Sequence, residues 1–115
     1  MHNFKELRVW KEGIILAKLV YESSAQFPQE EKFGLKSQVN RAAVSVPSNI
    51  AEGAGRGSNK EFAQFLRIAL GSAFEIETQM ILAEAFGFVT EVDNKRLMQQ
   101  LMDVQKMLNG LINKL

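Results

Sequence analysis

Cysteine is absent from this chain of 115 residues, and histidine occurs once, at His2. Without thiolates there can be no disulfide framework, zinc ribbon, iron–sulfur cluster or cysteine nucleophile. A lone histidine in a terminal position gives no dependable base for a serine nucleophile. It also cannot supply the paired Glu-x-x-His motifs by which a helix bundle holds two iron ions. Long apolar runs are missing too. The longest stretch without a charge, Ala42–Ala51, carries two serines, a proline and an asparagine, whereas a membrane span needs about 20 mostly apolar residues. The first residues meet charge at Lys5 and Glu6 and lack the apolar segment of a secretory signal. No membrane partner and a cytoplasmic location are therefore expected. An excess of charge of one sign is also lacking: 14 basic residues face 13 acidic ones, for a net +1. No segment forms a polybasic tail, so any contact with nucleic acid has to rest on a local patch.

What is present is an ordinary globular composition, 46% hydrophobic and 23% charged, at one domain's length. A single domain over residues 1–115 is expected. Apolar residues recur at steps of three and four, the period of a helical face, and no stretch alternates like a half-buried strand. Leu7, Trp10, Ile14, Ala17, Tyr21 and Ser24 form the first stripe, widened by Val9, Leu16 and Val20, and predict a helix from about Leu7 to Gln26. Phe27 to Gly34 reads as a loop, because Pro28 disfavours helix at Phe27 and Gly34 marks a turn. Leu35, Val39, Ala42, Val46, Ile50 and Gly53 form the second stripe, with Pro47 expected to bend it by crowding the carbonyl of Ala43. The glycine-rich run from Gly53 to Gly57 reads as its stop signal. Ser58 with Glu61 is a capping box for a third stripe, Phe62, Leu66, Ala69, Ala73, Ile76, Met80, Ala83 and Gly87. Thr90, three residues before Asp93, caps a fourth: Leu97, Leu101, Val104, Leu108, Leu111 and Leu115. Four such helices with short connections predict an all-α, antiparallel up-and-down four-helix bundle.

The glycine run departs from phosphate loops, since Ser58 stands where G-x-G-x-x-G needs its last glycine and Asn59, not glycine, precedes Lys60. Arg56 and Lys60 nevertheless flank the start of the third helix, where cations and free N–H groups can hold a phosphate of a nucleic acid backbone. Ordinary capping with both cations solvated is the other interpretation. On the second helix Arg41, Ser45, Ser48, Glu52 and Arg56 make a polar line, in which Glu52 precedes Arg56 in the favourable order for an intrahelical pair. Glu77 and Glu84 fall within an apolar arc of the third helix and need either a cation, for which Arg41 is a candidate, or a route to water. Ile15 and Leu19 lie on the arc of the first helix held by Arg8, Lys11, Glu12, Lys18 and Glu22, and are a candidate surface for self-association.

A set of short motifs adds a resemblance. Phe4-x-x-Leu7-x-Val9-Trp10, Phe27-Pro28, Gly34-Leu35-x-x-Gln38, the run Arg41 to Gly53 with Asn49-Ile50-Ala51-Glu52-Gly53, Gly55-Arg56, and Phe65-Leu66-x-Ile68-Ala69-x-Gly71-Ser72-x-x-Glu75 occur in this order. From Phe4 to about Gly87 the chain resembles the 23S rRNA-intervening-sequence proteins, also labelled S23 ribosomal proteins. The resemblance implies a small bacterial four-helix bundle that assembles as a homopentamer and has no known enzymatic activity. A related branch, the accessory variability proteins of diversity-generating retroelements, binds nucleic acid through a strongly basic surface, from which a net charge of +1 departs. The function expected is a non-enzymatic oligomeric scaffold or binding module without cofactor or metal, with itself and RNA or a nucleic-acid-associated protein as candidate partners. Arg41, Asn49, Glu52 and Glu75 are then structural or interfacial polar residues. The alternative is a small hydrolase or transferase with an acidic site around Glu52 and Glu75.

Overall fold

The computed structural model describes residues 3–115, so His2 lies outside the described residues. Four helices account for most of them: α1 (Arg8–Ser24), α2 (Leu35–Ala54), α3 (Asn59–Ala85) and α4 (Glu91–Lys114). Single 3-10 turns at Phe4–Glu6 and Gln29–Glu31 precede α1 and α2, and there is no strand among the described residues.

The helix ends follow local chemistry. Ser58 Oγ accepts from the Glu61 amide at 3.1 Å, and Thr90 Oγ1 accepts from the Asp93 amide at 3.1 Å. Each thereby satisfies one of the orphan donors of a first turn. Gly34 has no side chain to cap α2, and Glu31 Oε1 supplies the acceptor instead, 3.0 Å from the Leu35 amide. α3 stops at Ala85 short of Gly87, which takes a positive φ of 78°. The amides of Gly87 and Phe88 then reach back to the carbonyls of Glu84 (3.0 Å) and Ala83 (2.8 Å), which closes the helix end.

α2 ends at Ala54 with Gly55 as its C-cap, so the glycine run does stop the helix, and it does so without a positive φ at any glycine from Gly53 to Gly57. Gly53 itself lies buried inside α2, where a Cβ would stand 2.6 Å from Phe65 Cβ; the residue is there to let α2 and α3 approach. Pro47 is buried within α2 and packs toward Gly13 of α1 without ending the helix.

Cross-helix pairs define the topology. Ser24 meets Asn40, Ser45 meets Ser72, Glu77 meets Gln105, and Glu12 meets Gln100. Gly53 opposite Phe65, and Gly13 opposite Val46 and Ile50, fix the opposite sense of neighbouring helices. The chain is an antiparallel four-helix bundle in which each helix packs on its two neighbours in the ring order α1, α2, α3, α4. Leu16, Val20, Val39, Val46, Ile50, Phe62, Leu66, Ile76, Met80, Leu101, Val104 and Leu108 fill the core.

α1 is rotated relative to the expected stripe. Val9, Gly13, Leu16, Val20 and Ser24 face inward, while Ile14 and Tyr21 are exposed. Ser24 is tolerated in the core because its hydroxyl bonds to Asn40 Oδ1 at 2.8 Å and the Tyr21 carbonyl at 3.3 Å.

Candidate functional site

Residues from the middle of α2 and α3 line an open groove of about 480 Å³: Gln38, Arg41, Ala42, Ser45, Ser72 and Glu75. Their convergence follows from the antiparallel register, which sets the Arg41–Ser45 turn against the Ser72–Glu75 turn. On its floor Ser45 Oγ and Ser72 Oγ are 2.8 Å apart. Asn49 anchors this pair from the next turn, donating through Nδ2 to the Ser45 carbonyl at 2.8 Å and to Ser45 Oγ at 2.9 Å. Asn49 thereby holds a serine on its own helix.

Arg41 is not the partner of the α3 acids. Its guanidinium makes one long hydrogen bond, 3.5 Å to Ser37 Oγ. Glu77 instead accepts from Gln105 Nε2 at 2.8 Å and Glu84 from Asn94 Nδ2 at 3.3 Å, so both acids are met by amides of α4. Among the described residues one ion pair is present, Glu52 with Arg56 at 3.3 Å. Arg41 and Glu75 therefore share a groove without neutralising each other.

At the other candidate patch, Arg56 is engaged twice: it pairs with Glu52 and its guanidinium lies 4.7 Å above the Phe65 ring. Lys60, on the first turn of α3, is exposed. Glu52 and Glu75 do not form one acidic site, since Glu52 is committed to Arg56 while Glu75 lines the groove. No group of three metal-ligating side chains occurs among the described residues. Ile15 and Leu19 do not make a matched exposed pair either. Ile15 is exposed, but Leu19 is half-buried against the core.

A protein-family description, 23S rRNA-intervening sequence protein, matches residues 5–110. The chain belongs to this family. Among solved structures, the chain is similar to a protein of unknown function from the S23 ribosomal protein family of Bacteroides thetaiotaomicron. That match has a TM-score of 0.81 at 22% identity and covers 90% of this chain and 97% of the other. Comparison with curated proteins yields no match. The crystal relative has the same fold as this chain, and no helix among the described residues is long and apolar enough to cross a membrane.

The Ser45–Ser72 contact was not anticipated. Its signal in the family-like motifs is a serine on each of two facing helices, at positions where the apolar stripes continue on either side. Gln79, one turn beyond Glu75, is a second unanticipated feature, 7% exposed with Oε1 lacking a hydrogen-bond partner.

Proposed function

We propose that this chain is a non-enzymatic binding module whose working form is a homo-oligomer. The observation that carries this is the outer face of α3. Gly71, Phe74, Thr78, Ile81 and Ala85 follow one another at steps of three and four, all are exposed, and none is charged. Ile68, Phe74 and Ile81 are 51%, 50% and 53% exposed and have no cover within the chain, although exposed Arg67 and Glu75 border them. α1 differs, because its exposed Ile14 and Ile15 are interspersed with Lys11, Lys18 and Glu22. A ring of five copies is what the family resemblance implies. Light scattering tests the reading: a mass near five times the 12.9 kDa chain is expected, and a monomer at micromolar concentration overturns it.

RNA contact is the finer part of this proposal and rests on Arg56 and Lys60. Repetition around a ring would turn two cations per chain into a belt that touches phosphates without reading bases. Arg56 already has Glu52 and Phe65 as partners, so Lys60 carries most of the available charge. Binding should weaken steeply with salt and fall in an Arg56→Ala/Lys60→Ala variant; binding indifferent to that variant assigns any RNA contact elsewhere.

A further inference from the structure

Gly110 has no reason to be glycine within its own chain. It lies in the last turns of α4 without a positive φ, it is exposed, and a Cβ built there meets nothing within 4 Å. Glycine inside a helix is less favourable than alanine, and at Gly53 the compensation is plain, because α3 itself fills the space. At Gly110 the space belongs to a second groove, of about 340 Å³, where the start of α1 runs beside the end of α4. Its apolar wall is Leu7, Val9, Met107 and Leu111, with Val9 buried and the others half-buried. Among the described residues that line it, the charged ones are Arg8 and Lys114, both exposed and neither with an ion-pair partner. The acids of neighbouring turns, Glu6, Glu12 and Asp103, are not part of the lining.

We infer that this groove binds an amphiphilic anion, a medium-chain carboxylate, with its hydrocarbon on the apolar wall over Gly110 and its head group held by Arg8 and Lys114. The inference is separate from the oligomer and RNA readings, because α1 lies diagonally across the bundle from α3 and the groove is away from the outer face of α3. Two unpaired cations beside an apolar wall match a ligand with one negative end and one oily end. The start of α1 adds to the attraction: it has no side-chain cap and no acid in its first turn, so its partial positive charge is not offset there. Lys114 offsets the opposite charge at the end of α4. The size is that of a small-ligand pocket. A nucleic acid needs the cations but gains nothing from the wall. A partner helix needs apolar anchors over several turns, whereas exposed Lys11 on α1 and Lys106 on α4 stand within the next turn of each helix. Met107, unbranched and flexible, suits a wall that has to adapt to a hydrocarbon chain.

The test is calorimetric titration with sodium decanoate below its micelle concentration, with hexanoate, acetate and decyltrimethylammonium as comparisons. Binding should saturate at one decanoate per chain and tighten by about two- to fourfold for each methylene between hexanoate and decanoate. Acetate and the cationic amphiphile should bind weaker than decanoate by on the order of tenfold or more. The Arg8→Ala/Lys114→Ala variant should lose about fivefold in decanoate affinity. Gly110→Leu has room in the isolated chain; it should keep or raise the melting temperature and still weaken decanoate by on the order of tenfold, because its side chain occupies the groove. Acetate as tight as decanoate leaves the wall without a role, and decyltrimethylammonium as tight leaves the cations without one; either result overturns the inference. So does binding that does not saturate, or a folded Gly110→Leu variant with wild-type decanoate affinity.

Discussion

Replacing Gly53 with alanine puts a methyl carbon 2.6 Å from Phe65 Cβ, 3.1 Å from Phe62 Cδ1 and 3.3 Å from the Phe62 carbonyl oxygen. Carbon atoms in good contact sit about 3.5–4.0 Å apart, so α2 and α3 have to part by on the order of 1 Å. Rotamer changes give no relief, because a Cβ and a carbonyl move only with their backbones. Overpacking of this sort costs about 1–3 kcal/mol, and contacts fixed to backbone belong at the upper end. Against it stands a helix-propensity gain of about 1 kcal/mol for alanine over glycine. The net expectation is a loss of about 2 kcal/mol, or on the order of 8 °C in melting temperature for a domain of this size. Gly110→Ala makes the same chemical change in α4 where a Cβ meets nothing within 4 Å, and should gain up to about 1 kcal/mol. Urea unfolding followed by circular dichroism, at one protein concentration for all variants, gives both signs. A Gly53→Ala variant as stable as wild type, with an unchanged slope against urea, would refute the close-approach explanation.

Ser58→Ala removes the acceptor for the Glu61 amide and should cost about 1 kcal/mol in the same unfolding assay, while Ser58→Gly should cost only a few tenths. Glu52→Gln breaks an exposed pair whose cation keeps its place over Phe65; a loss of no more than about 0.5 kcal/mol is expected, and more than about 1 kcal/mol would show that Glu52 has a buried partner.

Helix positions were legible because each stripe is long and two of the starts, those of α3 and α4, are marked by a capping residue, Ser58 and Thr90. The facing of α1 was not. Trp10, Ile14 and Tyr21 weigh as apolar in a periodic count, yet Ile14 and Tyr21 are exposed and Trp10 lies at the edge of a core to which α1 contributes Val9, Leu16 and Val20. Gly53 shows a second limit: a local interpretation sees a stop near a helix end, and only the position of Phe65 reveals the need for a missing side chain. Glu77 and Glu84 stood out as acids within an apolar arc, but Glu84 is exposed and their partners, Gln105 and Asn94, are neutral amides that come within reach only through the α3/α4 register. For the groove, the polar character of Arg41, Ser45 and Glu75 was visible in the residues themselves. That they converge with Ser72 depends on how two helices are set against each other, a fact of packing between segments distant in the chain.

Phe27, buried beneath the α1–α2 loop, meets Phe88 of the α3–α4 turn with ring centroids 5.6 Å apart, and Phe86 adds a third ring 5.7 Å from Phe88. These rings clasp two loops that share one end of the bundle. The turn between α2 and α3, at the opposite end, consists of exposed residues from Gly55 to Ser58. Amide protons near Phe27 and Phe88 should therefore exchange as one cooperative unit, since neither loop can lift without unstacking the other, whereas the Gly55–Ser58 turn is free to open by itself. The bundle has a latched end and an unlatched one, and Arg56 and Lys60 stand at the unlatched end.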